Sequence, residues 1–428
     1  MQMKNKVKSE KGVMTMYVTV AVVTFTIILT AVFSLAVATR KNQIKTLIKI
    51  KEVYEQDNNK KEQIYMTQKE ESERQLPRTK DTRPYYLADT FTKIEGTDLN
   101  NGLVIKDANE NEYVWIEVPK SLYANSNYNT ETTTADQKPA NSEDYDKIEY
   151  CLKKYTADYI NATRYKDEYY SDETTGLTST QYTELKQKML KSVYENGGFW
   201  IGRYEAGITE NRTAKGDATE NPLSKQGTIE NPVYPYTYVT CSQAQTLASQ
   251  LSTENYTGSL MFGVQWNLVL KHIETKIGNS NLISNEKNIL TEDSTSWGNY
   301  YDASFEINRG KYAKCTALIS TWNDYNTELA NCVTYTNETS TKVVATSSSN
   351  AILLTTGASD ACKKMNIYDL AGNVSEWTLE CDAAIGLPCV NRGGTCKSTG
   401  IKYTASCINS YSTNSNSNSA GFRVSLFK

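Results

Sequence analysis

The alternation of apolar and polar positions divides the chain into stretches of different character. From Gly12 to Thr39 no residue is charged, and the run VMTMYVTVAVVTFTIILTAVFSLAVAT is apolar and rich in β-branched residues. A bilayer core takes about 20 helical residues, so this run is long enough to cross one. From Arg40 to Leu76 there is neither Gly nor Pro, and Ile44, Leu47, Ile48 and Tyr54 fall near helical spacing among Lys, Glu and Gln. That spacing predicts a stalk that continues the first helix for about 50 Å at 1.5 Å per residue. Pro77 and Pro84 then stop it. A charged, unstructured linker is the alternative for this stretch.

Beyond Pro84 the pattern shortens. NEYVWIEVP, residues 111–119, predicts a strand with Tyr113, Trp115 and Glu117 on one face and Val114, Ile116 and Val118 on the other, ended by Pro119. The Asn-, Thr- and Tyr-rich residues that follow, about 121–195, read as an insertion carrying helices near Tyr145–Ile160 and Ser179–Glu195. GGFWIGRYEAG, Gly197–Gly207, suits a buried strand. Thr240 or Ser242 is placed to cap a helix that turns Ala244, Leu247 and Leu251 inward, and Val264, Leu268 and His272 share one side of a helix over Gly263–Ile277. His272 reads as a partly exposed helix residue. From Asn279 to Asn350 the signals are weak and polar, and long loops with short strands are expected.

Charge narrows the function classes. Forty-six basic and 49 acidic residues leave a net charge of -3, with no basic stripe for a phosphate backbone, which disfavours nucleic acid as a partner. Tyr occurs 30 times and His once, a composition common on polar extracytoplasmic surfaces, and a single His restricts general-base and zinc chemistry. Lys4, Lys6, Lys8 and Lys11 favour a cytoplasmic N-terminus, although Arg40, Lys41, Lys45 and Lys49 follow on the other side. Ala36-Val37-Ala38 has the form of a signal-peptide cleavage site, but the apolar run is longer than such peptides carry, which favours a retained anchor. None of the nine cysteines forms a C-x-x-C pair. Their connectivity cannot be read from spacing, and an odd number leaves at least one outside any bridge.

Several motifs, in order over the C-terminal half, resemble the formylglycine-generating-enzyme (sulfatase-modifying factor) family. They are GFWIGRYEAG, SLMFGVQWNLVL at Ser259–Leu270, SWGN at Ser296–Asn299, NIYDLAGNVSEW at Asn366–Trp377, RGGT at Arg392–Thr395 and AGFRV at Ala420–Val424. The resemblance implies an α+β domain, a variant of the C-type lectin fold with much irregular loop, over residues 84–428. Ahead of it lie a cytoplasmic segment 1–11, a transmembrane helix 12–39 and a stalk 40–83. Separately, the Lys11-Gly12 junction is similar to a type IV prepilin start, with Tyr17 where those proteins carry Glu.

The family's enzymes oxidise a sulfatase cysteine with two copper-binding cysteines placed after R-G-G-S. The counterparts here, Cys396 and Cys407, stand eleven positions apart and lack the short C-x-x-x-x-C spacing. A thiolate copper site needs both sulfurs on one ion, so the changed spacing weighs against catalysis. A disulfide, Cys396 with Cys407 or Cys381 with Cys389, or simply buried thiols, is the plainer expectation. In calcium-binding members the D-x-x-G-N-V-x-E run wraps one Ca²⁺; carried over, its ligands are Asp369, Gly372, Val374 and Glu376, an oxygen-only set. Without that ion, Asp369 would cap the turn and Glu376 would sit in a salt bridge. The Ser-, Asn-, Thr- and Tyr-rich stretch Tyr403–Ser419, with Tyr403, Asn409, Tyr411, Asn414 and Asn416, suits adaptable polar recognition and equally a solvated loop. Together these features point to a single-pass membrane protein whose extracytoplasmic domain binds an unknown extracellular ligand or protein. A formylglycine-generating oxidase and a minor pilin-like subunit are the alternatives.

Overall fold

The computed structural model describes residues 2–73, 75–129, 138–160, 163–277, 283–319, 321–337, 340–382 and 386–428. The chain divides into two units, Met1–Gln75 and Leu76–Lys428. Positions 130–137 and 161–162 of the expected insertion, and 278–282 at the start of the polar stretch, lie outside the described residues.

The first unit is one helix, Gln2–Glu73. Within it Lys11–Gln63 contains a window apolar enough to cross a membrane, with a mean hydropathy of 2.5. Five threonines of the apolar run have their hydroxyls bonded within the helix. Thr15, Thr19, Thr26, Thr30 and Thr39 each donate to the backbone carbonyl four residues back. In a lipid interior every polar group needs such an internal partner.

The second unit is built on two main sheets. The larger has six strands in the order Thr92–Lys93, Val104–Lys106, Glu112–Glu117, Gly198–Gly202, Val424–Phe427 and Thr257–Leu260, all antiparallel. Glu112–Glu117 is the strand predicted from alternation, and Tyr113 through Ile116 are all buried because neighbours flank it on both edges. Trp115 meets Trp200 edge-on at 5.1 Å, and its indole N–H donates to Thr82 Oγ1 at 2.8 Å. Such aromatic pairs prefer edge-to-face contact, and a buried indole N–H needs an acceptor.

The second sheet runs Ile408–Tyr411, Cys389–Arg392, Ser375–Asp382, Ala420–Phe422, with Tyr165–Lys166 also paired to Ser375–Asp382. Ser375–Asp382 and Ala420–Phe422 run parallel, while the other pairings are antiparallel. Arg423 is therefore the single residue between two strands in different sheets, Ala420–Phe422 and Val424–Phe427.

Helices cover these sheets. Tyr145–Tyr155 and Ser179–Asn196 lie in the stretch expected as an insertion, yet Ile148, Leu152, Met189 and Val193 belong to the same apolar core as Trp115 and Trp377. Thr240 caps Cys241–Ser249 through a reciprocal capping box with Gln243, which satisfies two otherwise orphaned N–H groups. The helix Gly263–Ile277 has the predicted bounds, but His272 is buried and not partly exposed. Its Nδ1 accepts from the Glu117 backbone N–H at 3.2 Å, and burial pushes its pKa down to about 3, helped by nearby Lys276. The polar stretch after residue 279 also holds a helix, Ile283–Thr291, that weak apolar periodicity did not reveal.

Candidate functional site

The turn before Ser375–Asp382 is built from residues that tolerate a left-handed backbone. Asp369 (φ 56°), Gly372 (φ 74°) and Asn373 (φ 56°) all adopt it. A Cβ on Gly372 would lie 2.3 Å from the Asn299 carbonyl oxygen, so the SWGN segment and this turn can meet only at glycine. Asn373 ties the contact together. Its Oδ1 accepts from Asn299 Nδ2 and from the Leu354 backbone N–H, and its Nδ2 donates to Glu205 Oε2.

Glu205, Asp369 and Glu376 are three buried carboxylates facing one guanidinium. Arg423 binds Glu376 at 2.6 Å and also donates to the carbonyls of Gly202 and Tyr368. Glu205 Oε1 accepts from the Val374 N–H at 3.1 Å. Asp369 Oδ2 accepts from the Gly357 N–H, while its Oδ1 has no hydrogen-bond partner among the described residues. One cation for three carboxylates has the expected consequence. Burial, with the neighbouring acids Asp369 and Glu376, holds Glu205 well above the usual carboxylate range. Burial pushes Asp369 up to about 7 against the pull of the Gly357 N–H and Arg423, and raises Glu376 despite Arg423.

Of the calcium set Asp369, Gly372, Val374 and Glu376, only Asp369 offers a carboxylate oxygen with no partner. A guanidinium stands against Glu376 where a divalent ion would need its oxygens, and the arrangement does not fit Ca²⁺. Among the described residues no group of three or more His, Cys, Asp and Glu side chains is arranged to hold a metal ion. Glu205, in the GRYEAG run, carries the third charge of this cluster; a glutamate closing a wholly apolar strand was the one signal of it.

The other end of Ser375–Asp382 carries a related cluster. Arg392 binds Glu380 with two bonds of 2.8 Å and donates to Asn267 Oδ1 and the Ser406 carbonyl. Asp167 accepts from the first N–H groups of the helix Gly263–Ile277, Gly263 at 2.6 Å and Val264 at 2.9 Å. Burial and the charges of Glu380 and Glu149 raise Asp167 to about 6. These residues border a cavity of about 260 Å³ that also touches Lys153 and Tyr165.

Cys396 and Cys407 have separate partners. The thiol of Cys396 lies against that of Cys315, and both belong to a small apolar cluster with Ala313, Ala351, Leu353 and Val374. Cys407 instead lies under Asn409 Nδ2 at 3.4 Å and the backbone of Gly393 and Gly394, and burial pushes it up to about 11. Cys381 and Cys389 oppose each other across a bulged strand pair, yet the thiol of Cys389 is engaged with that of Cys241. The sequence expectation for which thiols adjoin is therefore corrected: the partners come from segments distant in the chain.

Of the polar residues expected to bind a ligand, Tyr411 and Asn416 line one cavity of about 240 Å³ with Ser375, Trp377, Asn391 and Thr395. Tyr411 stands edge-on to Trp377 at 5.7 Å. The Asn391 amide donates to Ser375 Oγ at 2.8 Å and to the Tyr411 hydroxyl, which leaves its Oδ1, buried at the cavity wall, with no partner among the described residues. Asn414 lines a different cavity beside Glu173 and Lys215, Asn409 is turned to Cys407, and Tyr403 stacks under Lys402. Trp377 was legible only as core, and Asn391 carried no signal in the sequence.

Comparison with known proteins adds the following. No curated protein matches the chain. A crystal structure titled "Crystal Structure of CarF" is similar at a TM-score of 0.30 and 14% identity, over 54% of this chain and 87% of that one. Residues 146–426 match the family described as Sulfatase-modifying factor enzyme 1-like domain. That span takes in the strand Gly198–Gly202, the Asp369–Trp377 turn and the Arg423 junction, and the chain belongs to this family.

Proposed function

We propose that the protein is a membrane-anchored binding module in which a C-type-lectin-like domain, displayed outside the cytoplasm, recognises a ligand at the cavity under Trp377 and Tyr411. The observation that carries this is the Asn391 carbonyl oxygen, buried at the cavity wall with no protein partner. A buried polar atom of that kind costs roughly 1–3 kcal/mol unless something pairs with it. A ligand hydroxyl would do so. Ser375, Thr395, Asn416 and Ser417 supply further polar contacts, and the Trp377–Tyr411 pair supplies an aromatic edge. The cavity lies below the range of about 300–1,000 Å³ usual for small-molecule sites, which suits one sugar-sized, hydroxyl-rich unit.

The separate engagement of Cys396 and Cys407 supports binding over oxidation, because a two-thiolate copper centre needs both sulfurs on one ion. The test is a glycan array probed with the full chain in detergent. A specific glycan should bind, and Tyr411→Ala and Asn391→Leu should each lower affinity at least about tenfold while the melting temperature of Tyr411→Ala stays unchanged. Copper-dependent conversion of a sulfatase-type cysteine peptide, with no glycan bound, would overturn the proposal.

A further inference from the structure

Two pairs of thiols, each drawn from segments far apart in the chain, are brought together inside the second unit. Cys315 follows the strand Lys311–Lys314, with its backbone N–H on the Ala351 carbonyl at 2.8 Å. Cys396 follows the RGGT segment, with its N–H on the Asn373 carbonyl at 3.0 Å. Both backbones are thus held by the sheet and turn that define the fold, and both side chains fall in one packed cluster. The second pair is fixed just as firmly. Cys241 is the first residue of a capped helix, and its sulfur lies 3.5 Å from the carbonyl oxygen of Thr378. Thr378 sits directly across the sheet from Val390, the neighbour of Cys389, and the two thiols lie against each other while the Cys389 S–H donates to the Thr174 carbonyl at 3.5 Å.

We propose that Cys315–Cys396 and Cys241–Cys389 are two disulfide bonds of this domain, formed by exchange with an oxidised dithiol carrier or oxidised glutathione. The geometry specifies the order of events for the first pair. The adjoining Cys396 thiol and the Lys397 ammonium hold the Cys315 thiol below its ordinary pKa, so Cys315 is the thiol that ionises more readily. The Cys315 thiolate attacks one sulfur of the carrier disulfide, forms a mixed disulfide and expels the other carrier sulfur as a thiolate. Cys396 then loses its proton and attacks the Cys315 sulfur, closing the protein bond and releasing the second carrier thiolate. Two protein thiols are oxidised, one carrier disulfide is reduced, and the two protons end on the carrier thiols. At Cys241 the adjoining Cys389 thiol and burial both hold the thiol protonated.

The bonds would join parts that no hydrogen-bond ladder connects. Cys315–Cys396 fastens the irregular region after Ile307 to the turn next to the cavity, and Cys241–Cys389 fastens a helix to the centre of the second sheet.

The test uses the full chain, reduced in detergent and then incubated in a glutathione redox buffer. After alkylation under denaturing conditions, intact mass spectrometry should show a species lighter by about 4 Da before alkylation is counted, two hydrogens for each bond. Peptide mapping should join the Cys315 and Cys396 peptides and the Cys241 and Cys389 peptides, with Cys381 and Cys407 fully alkylated. The oxidised form should melt at least about 5 °C above the reduced form. Alkylation of all nine cysteines after oxidation, or a Cys396–Cys407 or Cys381–Cys389 cross-link, would overturn the assignment. Because the wild-type chain is used, a variant that fails to fold cannot mimic either result.

Discussion

The two acid–arginine clusters at opposite ends of the strand Ser375–Asp382 use the same parts to different ends. At one end Arg423 faces Glu376, Asp369 and Glu205, all buried; at the other Arg392 and Glu380 stand with Asp167 at the wall of a cavity. Taking charges out of water is costly, and the attraction within a buried pair offsets that cost only when every remaining atom is bonded. The Arg423 cluster comes near that condition by also binding the carbonyls of Gly202 and Tyr368 on the facing elements, and Asp369 Oδ1 is the atom left without a partner among the described residues. It therefore locks the fold. The Arg392 cluster keeps an exit to solvent, so its charges can still be rearranged by what enters the cavity.

The contrast breaks most readily at Arg423. Arg423→Met should cost at least about 4 kcal/mol, since it strands three carboxylates without a cation, and urea unfolding would read it. A loss under about 1 kcal/mol would show that water already reaches that cluster. Arg392→Met should cost less, about 2 kcal/mol, because cavity water can solvate Glu380. Next comes pH. Asp369 has a folded pKa raised from 3.8 to about 7, so its contribution to stability is complete below 3.8 and is lost as pH rises through about 7. Wild-type protein should accordingly lose about 1–2 kcal/mol between pH 5 and pH 8, and Asp369→Asn should lose measurably less in thermal melts over that range. Equal slopes would remove the carboxylate from the account. Asp167→Ala, which deletes the cap of Gly263–Ile277, should cost about 1 kcal/mol. The smallest effect expected is that of calcium: millimolar Ca²⁺ should move the melting temperature by less than about 1 °C, and a larger rise would mean that the ion displaces Arg423 from Glu376.

Much of the scaffold was legible because its signals are local. The alternation in NEYVWIEVP, the cap at Thr240 and the turn motif at Asp369–Trp377 each reside within a dozen residues, and each lies where the sequence places it. The site was less legible because its partners are not local. Glu376 meets Arg423, Cys396 meets Cys315, and Glu205 meets Asn373, all contacts set by how strands from distant segments align. Helical spacing put His272 on one side with Val264 and Leu268, but only the packing of that helix against Glu112–Glu117 buries it. Tyr411 and Asn416 were readable as polar recognition residues, whereas the cavity wall they need is Trp377 and Asn391 from two other strands.

The single-residue step at Arg423 also has a bearing on how the protein is made. Residues 420–427 supply a strand to each sheet, and Val424–Phe427 fills the place between Gly198–Gly202 and Thr257–Leu260. Without that segment the first sheet would split, and the edges of Gly198–Gly202 and Thr257–Leu260 would be open to any other extended chain. Contacts of such long sequence separation also make folding slow. A chain cut ahead of Ala420 would therefore present those two edges as a template for aggregation.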